Sequence, residues 1–110
     1  MATFTPRQTE RLRLGRVSLP GARYFVTVCT RGREPVLSVA ENAERIIAAM
    51  VELDASGDGQ FLAGTVMPDH IHLLFVLGER LTLARIMAKV KSRARRADAP
   101  WRWQGNSFEH

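Results

Sequence analysis

Residues 61–77, FLAGTVMPDHIHLLFVL, contain the pattern that decides the fold. Two runs rich in β-branched and aromatic residues, Phe61 to Met67 and Asp69 to Leu77, are typical of strands. Pro68 and Asp69 join them, and this pair is typical of a tight turn because proline fixes φ and aspartate hydrogen-bonds to nearby backbone. The segment therefore predicts a β-hairpin.

Elements on both sides of the hairpin indicate the fold class. The run YFVTVCT at 24–30 predicts a first strand, and residues 101–110 begin a fourth. Apolar residues at helical spacing predict helices at about 39–55 and 82–97. This order of elements is that of the ferredoxin-like (RRM-like) α+β fold. We expect an antiparallel sheet with the third strand central and both helices on one face.

The ends of the two helices carry capping signals. Ser38 and Glu41 have the spacing of a capping box, in which the two side chains satisfy backbone N–H groups at a helix start. Thr82 can cap the second helix. Gly57 and Gly59 indicate the end of the first helix, because glycine adopts the left-handed conformation that follows many helices.

Composition and charge indicate one domain with a polyanionic partner. The 110 residues carry a formal net charge of +5, from 16 Lys and Arg against 11 Asp and Glu. A small domain this basic suits nucleic acid, although a solvated basic surface is the alternative. Residues 1–22 are polar and basic and predict an N-terminal arm, which the domain at 23–110 follows.

Cysteine usage and hydropathy restrict the cellular setting. Cys29 is the single cysteine and can form neither a disulfide framework nor an all-cysteine zinc site, which favours a cytoplasmic setting. Since no apolar run approaches the roughly 18 residues of a membrane helix, we expect no membrane partner.

The residues of the third strand that can carry chemistry are His70 and His72. Strand side chains alternate between faces, so these two imidazoles point to the same side. Two imidazoles on one rigid strand can hold one divalent metal ion. The His-x-His pattern alone is weak, and two half-exposed histidines without a ligand are the alternative. Three other folds that use this spacing (metallo-β-lactamases, barrel amidohydrolases and cupins) fit badly in their following residues or chain length.

The extended motif MPDHIHLL at 67–74 closely resembles the signature of the insertion sequence 200-like transposases and of their relatives, the REP-associated tyrosine transposases. Both are HUH single-tyrosine enzymes. YFVT at 24–27, with Thr30 and Arg33, is similar to the first strand of this family and the loop after it. WQ at 103–104 with FEH at 108–110 is similar to a later family segment, with glutamate at 109 where aspartate is usual.

This resemblance implies a DNA transposase acting on single-stranded or hairpin DNA. In such a protein His70 and His72 would hold Mg²⁺ or Mn²⁺, which polarises a scissile phosphate. A tyrosine on a helix after the last strand attacks the phosphorus, which breaks the P–O3′ bond, forms a 5′-phosphotyrosine link and leaves a free 3′-hydroxyl. Family members pair two sheets, so we also expect a homodimer formed through an open strand edge.

The nucleophilic tyrosine is where this sequence departs from the family pattern. The tyrosine helix should follow His110, and the single tyrosine in the sequence is Tyr24. Tyr24 starts the first strand, so we expect it roughly 15–20 Å along the sheet from His70. We therefore expect a structural Tyr24, a C-terminally incomplete domain, and a chain that alone binds DNA without cleaving it. A non-catalytic DNA-binding remnant or repressor is the alternative, and an RNA-binding ferredoxin-like domain is a third.

Basic and aromatic side chains supply further candidates for DNA contact. The basic candidates, for which a solvated surface is the alternative, are Arg31, Arg33, Lys89, Lys91, Arg93, Arg95 and Arg96. The two arginines after the first strand are expected near His70, where a cation helps hold a phosphate. Trp101 and Trp103 can stack on unpaired bases or pack in the core. Asp69 can support His70 as a metal ligand or serve only the turn.

Overall fold

The secondary structure follows the hydrophobic periods of the sequence. The computed structural model describes residues 19–109, with side chains for residues 19–105. The strands in this range are β1 (Arg23–Thr30), β2 (Gly59–Met67), β3 (His70–Leu77) and β4 (Trp103–Glu109). The helices are α1 (Ala40–Ala55) and α2 (Leu83–Arg93), and short 3-10 turns lie at Arg31–Arg33 and Val36–Ser38.

The four strands form one antiparallel sheet in the order β2-β3-β1-β4. β2 and β3 are joined by Pro68 and Asp69 alone, so the hairpin prediction is confirmed. β3 and β1 are the inner strands, and β2 and β4 are the edges of the sheet among the described residues. The predicted ferredoxin-like α+β fold is confirmed, with the third strand hydrogen-bonded on both sides.

Side chains of the sheet alternate between a core face and an open face. In β3, Ile71, Leu73, Phe75 and Leu77 are buried, while the residues between them are half-buried. The buried four join the apolar side chains of both helices in one core. Burying a side chain of this size contributes about 1.5–3 kcal/mol. Both helices therefore cover one face of the sheet, and the histidines lie on the other.

The end of α1 leads into a buried carboxylate that the sequence pattern did not reveal. Gly57, at φ +83°, and Asp58 donate their N–H groups back to the last turn of α1 in a Schellman motif. The Asp58 side chain is 1% exposed and lies 3.3 Å from Lys89 and 3.5 Å from Arg80. Burial alone raises the pKa of the Asp58 carboxyl, but the hydrogen bond from Ser56 and the two cations hold it below its ordinary value.

The cap predicted at the second helix is confirmed, whereas the capping box at the first is wrong. The Arg85 N–H donates to Thr82 Oγ1 at 3.2 Å. Val39 occupies the N-cap position of α1 and has no capping side chain. Ser38 belongs to the preceding 3-10 turn, and its hydroxyl donates to the Pro35 carbonyl instead.

The chain after α2 leaves the helix earlier than the periodicity predicts. α2 ends at Arg93, four residues short of the predicted limit at 97. The Arg95 guanidinium donates to the carbonyls of Ala99 and Trp101, which fixes a turn in place of further helix. Consequently the fourth strand begins at Trp103 rather than at 101.

Only the end of the predicted N-terminal arm lies within the described residues. Residues 1–18, most of the predicted basic arm at 1–22, lie outside the described residues. Of the described part, Gly21 donates its N–H to the Leu77 carbonyl at 2.8 Å, which attaches this segment to the sheet. Neither α1 nor α2 combines the length and the hydropathy that a membrane-crossing helix needs.

The Asp58 cluster generates a stability prediction. We expect Asp58→Asn to lower the free energy of unfolding at pH 7 by about 1.5–3 kcal/mol, because the charge-assisted hydrogen bond from Lys89 and the ion pair with Arg80 are lost. The folded-state pKa lies below the unfolded-state value, so this stabilisation is full above the unfolded-state pKa and disappears as the pH falls through the folded-state pKa. Urea unfolding of parent and variant at pH 7 and pH 3 measures the difference, which should shrink at the lower pH.

Asp98→Asn is the matched control, because Asp98 is 74% exposed and pairs with Arg96 at the surface. We expect it to change stability by no more than about 0.5 kcal/mol. Equal losses in the two variants would show that the burial of Asp58 contributes nothing.

Candidate metal centre and nucleic-acid surface

His70 and His72 lie side by side on the open face at the start of β3. Their ring centroids are 4.8 Å apart and their planes meet at 81°. Cys29 and Thr27 of β1 are their antiparallel partners, and β2 pairs with β3 on the other side. The structure thus places both imidazoles on the face opposite the helices, carried by an inner strand of the sheet.

Both imidazole rings are oriented through their Nδ1 atoms. His70 Nδ1 lies 2.7 Å from Asp69 Oδ1, and His72 Nδ1 lies 2.9 Å from Thr27 Oγ1. An ionised carboxylate can only accept a hydrogen bond, so a neutral His70 carries its proton on Nδ1 and keeps the Nε2 lone pair. The Thr27 hydroxyl can accept from His72 in the same way. Nε2 is therefore the atom of each ring that can bind a ligand.

Asp69 is held in turn by Arg33. The Arg33 Nε donates to Asp69 Oδ2 at 2.9 Å. The hydrogen bond from His70 and then the one from Arg33 hold the pKa of the Asp69 carboxyl below its ordinary value. Arg33 has a φ of 56°, a left-handed conformation that a non-glycine residue adopts when its contacts require it. Asp69 thus occupies the predicted turn and also contacts the His70 ring, while its role in supporting a metal ligand stays a prediction.

Two imidazoles are the nitrogen ligands that this part of the open face offers to a metal ion. Across the described residues, no group of three or more His, Cys, Asp or Glu side chains could hold a metal. A divalent ion held by these two nitrogens would need oxygen atoms of solvent or of a phosphate as its remaining ligands.

An exposed aromatic ring extends this surface and was not predicted from the sequence. Phe25 stacks on His72, with centroids 5.5 Å apart and planes at 13°, although its side chain is 54% exposed. The alternation rule applied to β1 as well as β3 would have found it. An exposed aromatic ring on the open face is also what an RNA-binding sheet of this fold uses for base stacking, so it is compatible with that third alternative.

Arg33 pairs with Asp69, and the other six predicted basic residues divide into two groups. Three members form salt bridges with acidic side chains: Lys89 with Asp58 at 3.3 Å, Arg93 with Glu52 at 3.3 Å, and Arg96 with Asp98 at 3.1 Å and Glu41 at 3.7 Å. Most of these acids lie on α1 or at its end. The salt bridges therefore favour a structural role for this first group.

The second group lines a groove between α2 and the start of β4. Its members are Arg31, Lys91 and Arg95, and Arg102 joins them although the sequence reasoning did not select it. The groove encloses about 680 Å³. Burial lowers the pKa of Lys91, whose Nζ lies 3.5 Å from the Gln104 carbonyl. Arg102 was missed because it stands in an irregular segment between two tryptophans, with no periodicity to assign it to a face.

The two tryptophans belong to the core. Trp101 is 4% exposed and Trp103 is 9% exposed, and their rings meet edge to face at 5.0 Å. Trp103 Nε1 also donates to the Lys91 carbonyl at 3.0 Å. Of their two alternatives, base stacking is therefore wrong for both, because neither ring presents a free face.

Tyr24 lies on the other side of the sheet from the histidines. It is 5% exposed, packs against Phe75 in the core, and accepts a hydrogen bond from the Leu19 N–H at 2.9 Å through its hydroxyl. Side chains of β1 alternate, so Tyr24 shares a face with Val26 and not with Thr27. The structure thus places this residue as a core side chain.

Two solved structures have a similar fold. One is a REP-associated tyrosine transposase bound to a REP hairpin, with a TM-score of 0.68 and 20% identity over 99% of this chain and 60% of that one. The other is a candidate transposase from Deinococcus radiodurans R1, with a TM-score of 0.58 and 24% identity over 73% of this chain and 61% of that one. The chain therefore spans about 60% of the length of these structures.

Sequence comparison gives the family directly. A search of curated proteins finds no match. The family model described as "Transposase IS200 like" matches residues 18–98, which is more than half of the chain and contains the whole hairpin with its two histidines. The resemblance carried by the MPDHIHLL motif is confirmed, and the chain belongs to the family of IS200-like transposases.

Proposed function

We propose that this chain is a DNA transposase domain of the HUH single-tyrosine type, which binds single-stranded or hairpin DNA for metal-dependent cleavage and strand transfer. The observation that carries the proposal is the geometry of His70 and His72. Both imidazoles project from one inner strand, with Nδ1 tied and Nε2 available, in a chain that belongs to a transposase family. One structural neighbour is a transposase bound to a REP hairpin, which supports hairpin DNA as the ligand.

His70 and His72 would hold Mg²⁺ or Mn²⁺, with oxygen atoms completing the ligand set. When bound, the ion supplies Lewis acidity at the scissile phosphate. Asp69 and Thr27 would orient the two rings through their hydrogen-bond contacts with the Nδ1 atoms. Arg33 holds Asp69 and adds positive charge at the edge of the site, which favours the approach of a phosphate.

Phe25 supports an unpaired substrate over a duplex. Its exposed ring beside His72 offers a stacking surface for a base, and base–aromatic stacking contributes about 1–3 kcal/mol. A base within a duplex is already stacked on its neighbours. The open face therefore suits a strand whose base next to the scissile phosphate is extruded or single-stranded.

The nucleophile is not Tyr24, and this placement favours a second candidate function for the chain taken alone. The Tyr24 hydroxyl is engaged on the core side of the sheet, so it cannot approach a phosphate at His70. We propose that the 110 residues by themselves grip DNA as a binding module without joining to it. The domain assignment at 23–110, the basic arm at 1–22 and a cytoplasmic location belong to the same proposal.

The metal site generates the first functional prediction. Isothermal titration with Mn²⁺ should show weak binding to the parent and at least roughly tenfold weaker binding to His70→Ala and to His72→Ala, because each variant removes one of two nitrogen ligands. Asp69→Ala should weaken binding by about 10–100-fold, since it removes the acceptor that orients His70. Asp98→Asn is the control and should bind like the parent. Unchanged Mn²⁺ affinity in both histidine variants would refute the site.

The placement of Tyr24 leads to a second functional prediction, which is that this chain binds DNA without joining to it covalently. The chain incubated with a hairpin oligonucleotide and Mn²⁺ should give a noncovalent complex on a native gel and no adduct on a denaturing gel. An adduct that disappears in Tyr24→Phe would contradict the placement of the hydroxyl on the core side. An adduct that persists in this variant would indicate a different nucleophile, with Ser107 the nearest candidate in the sequence.

A homodimer is the third prediction. β2 and β4 each pair on one side among the described strands, so each offers an edge for pairing with a second copy. Ile47, Val51 and Leu62 add exposed apolar surface along α1 and the β2 edge. Sedimentation velocity from about 5 to 200 µM should show a concentration-dependent dimer, because pairing would bury apolar surface that is exposed in the single chain. A single monomeric species at the highest concentration would contradict it.

A further inference from the structure

We infer that the groove between α2 and β4 is a binding site for the sugar-phosphate backbone of DNA, and that it guides the strand that continues from the scissile phosphate. The groove is defined by Arg31, Lys91, Arg95 and Arg102, with Trp103 in its wall. This inference rests on the proposed function and adds the part of the molecule that grips the strand outside the histidine site.

Charge is the first reason. Four cationic side chains line the groove, and its described lining contains no acidic residue. The opposite flank of α2 differs, because Lys89 and Arg93 face Asp58 and Glu52 there. Positive potential is therefore concentrated on the β4 side of the helix, where a polyanion gains most from binding.

The architecture of the groove is the second reason. The Arg95 guanidinium donates to the Ala99 and Trp101 carbonyls, so its charge is fixed in position. Trp103 Nε1 donates to the Lys91 carbonyl and ties the groove wall to α2. A cation held as Arg95 is loses little conformational entropy on binding, which makes its contact with a phosphate more favourable than a contact from a mobile surface lysine.

The location of the groove is the third reason. The Arg31 N–H donates to the Arg102 carbonyl at 2.8 Å, so the two exposed arginines stand together at one end of the groove. The residue before Arg31, Thr30, donates its N–H to the carbonyl of Asp69, the residue before His70. The groove and the histidine pair thus open at the same end of the sheet. A strand that leaves the open face there passes the β4 edge and meets the groove.

The chemistry of the lining selects phosphates over bases. Trp103 is 9% exposed and offers no free ring face, and the remaining lining is cationic or small. Guanidinium groups pair with phosphate oxygens through two parallel hydrogen bonds. The contribution of the groove should therefore be independent of DNA sequence and steeply dependent on salt.

Fluorescence anisotropy with a labelled hairpin oligonucleotide carrying a single-stranded flank tests this inference. The charge-removing pair Arg31→Gln/Arg102→Gln is compared with Arg93→Gln/Arg96→Gln, which removes the same charge from the first group. We expect the groove pair to weaken binding by roughly tenfold at 0.1 M salt and to reduce the slope of log Kd against log salt by about 1.4, from two lost phosphate contacts. Arg31→Lys/Arg102→Lys should restore most of the slope, since Lys also binds phosphate as a point charge.

The outcomes separate the groove from the wider proposal. If both Gln pairs bind DNA as tightly as the parent and show equal salt slopes, the inference about the groove is wrong and the transposase proposal stands. No DNA binding by the folded parent at low salt would overturn both. Thermal melting of each variant checks that it is folded. Because Arg31 and Arg102 are exposed, the Gln and Lys variants at these two positions should melt within a few degrees of the parent.

Discussion

The antiparallel register between β1 and β3 is the constraint on which the candidate site depends. It sets Thr27 opposite His72 and Cys29 opposite His70. A shift of one residue would turn every side chain to the other face, so the histidines would enter the core and Ile71 would face solvent. Since Ile71 and its neighbours on the core face are fully buried, the apolar core itself fixes the register. The positions of the imidazoles therefore follow from hydrophobic burial.

Thr30 holds the loops around the candidate site in place relative to β1. It is completely buried, and its backbone N–H and its hydroxyl both donate to the Asp69 carbonyl, the hydroxyl also to that of Glu34. A buried polar group without partners is costly, so these bonds hold the turn before β3 against the loop after β1. That contact brings Arg33 to Asp69 and Asp69 to His70. The hydrogen bonds of one buried threonine thus fix the candidate metal centre relative to the sheet.

The sequence predicted those features that depend on local pattern. The order of the predicted elements indicated the fold class, alternation in the third strand indicated the shared face of His70 and His72, and Thr82 marked the start of α2. The capping box failed because Ser38 and Glu41 match in spacing alone, while a 3-10 turn places Val39 at the helix start. The division of the basic residues could not be predicted, because it depends on which acids α1 presents to α2. Lys89 meets Asp58, which is 31 residues away in sequence.

The most direct test of the account is where a paramagnetic ion binds on the folded chain. Sub-stoichiometric Mn²⁺ should broaden the ring resonances of His70 and His72 first and together, and those of Phe25 next, because its ring stacks on His72. The groove arginines should keep their signals at the same ratio. Broadening that begins at other residues, while both histidine rings stay sharp, would contradict a metal centre at the start of β3.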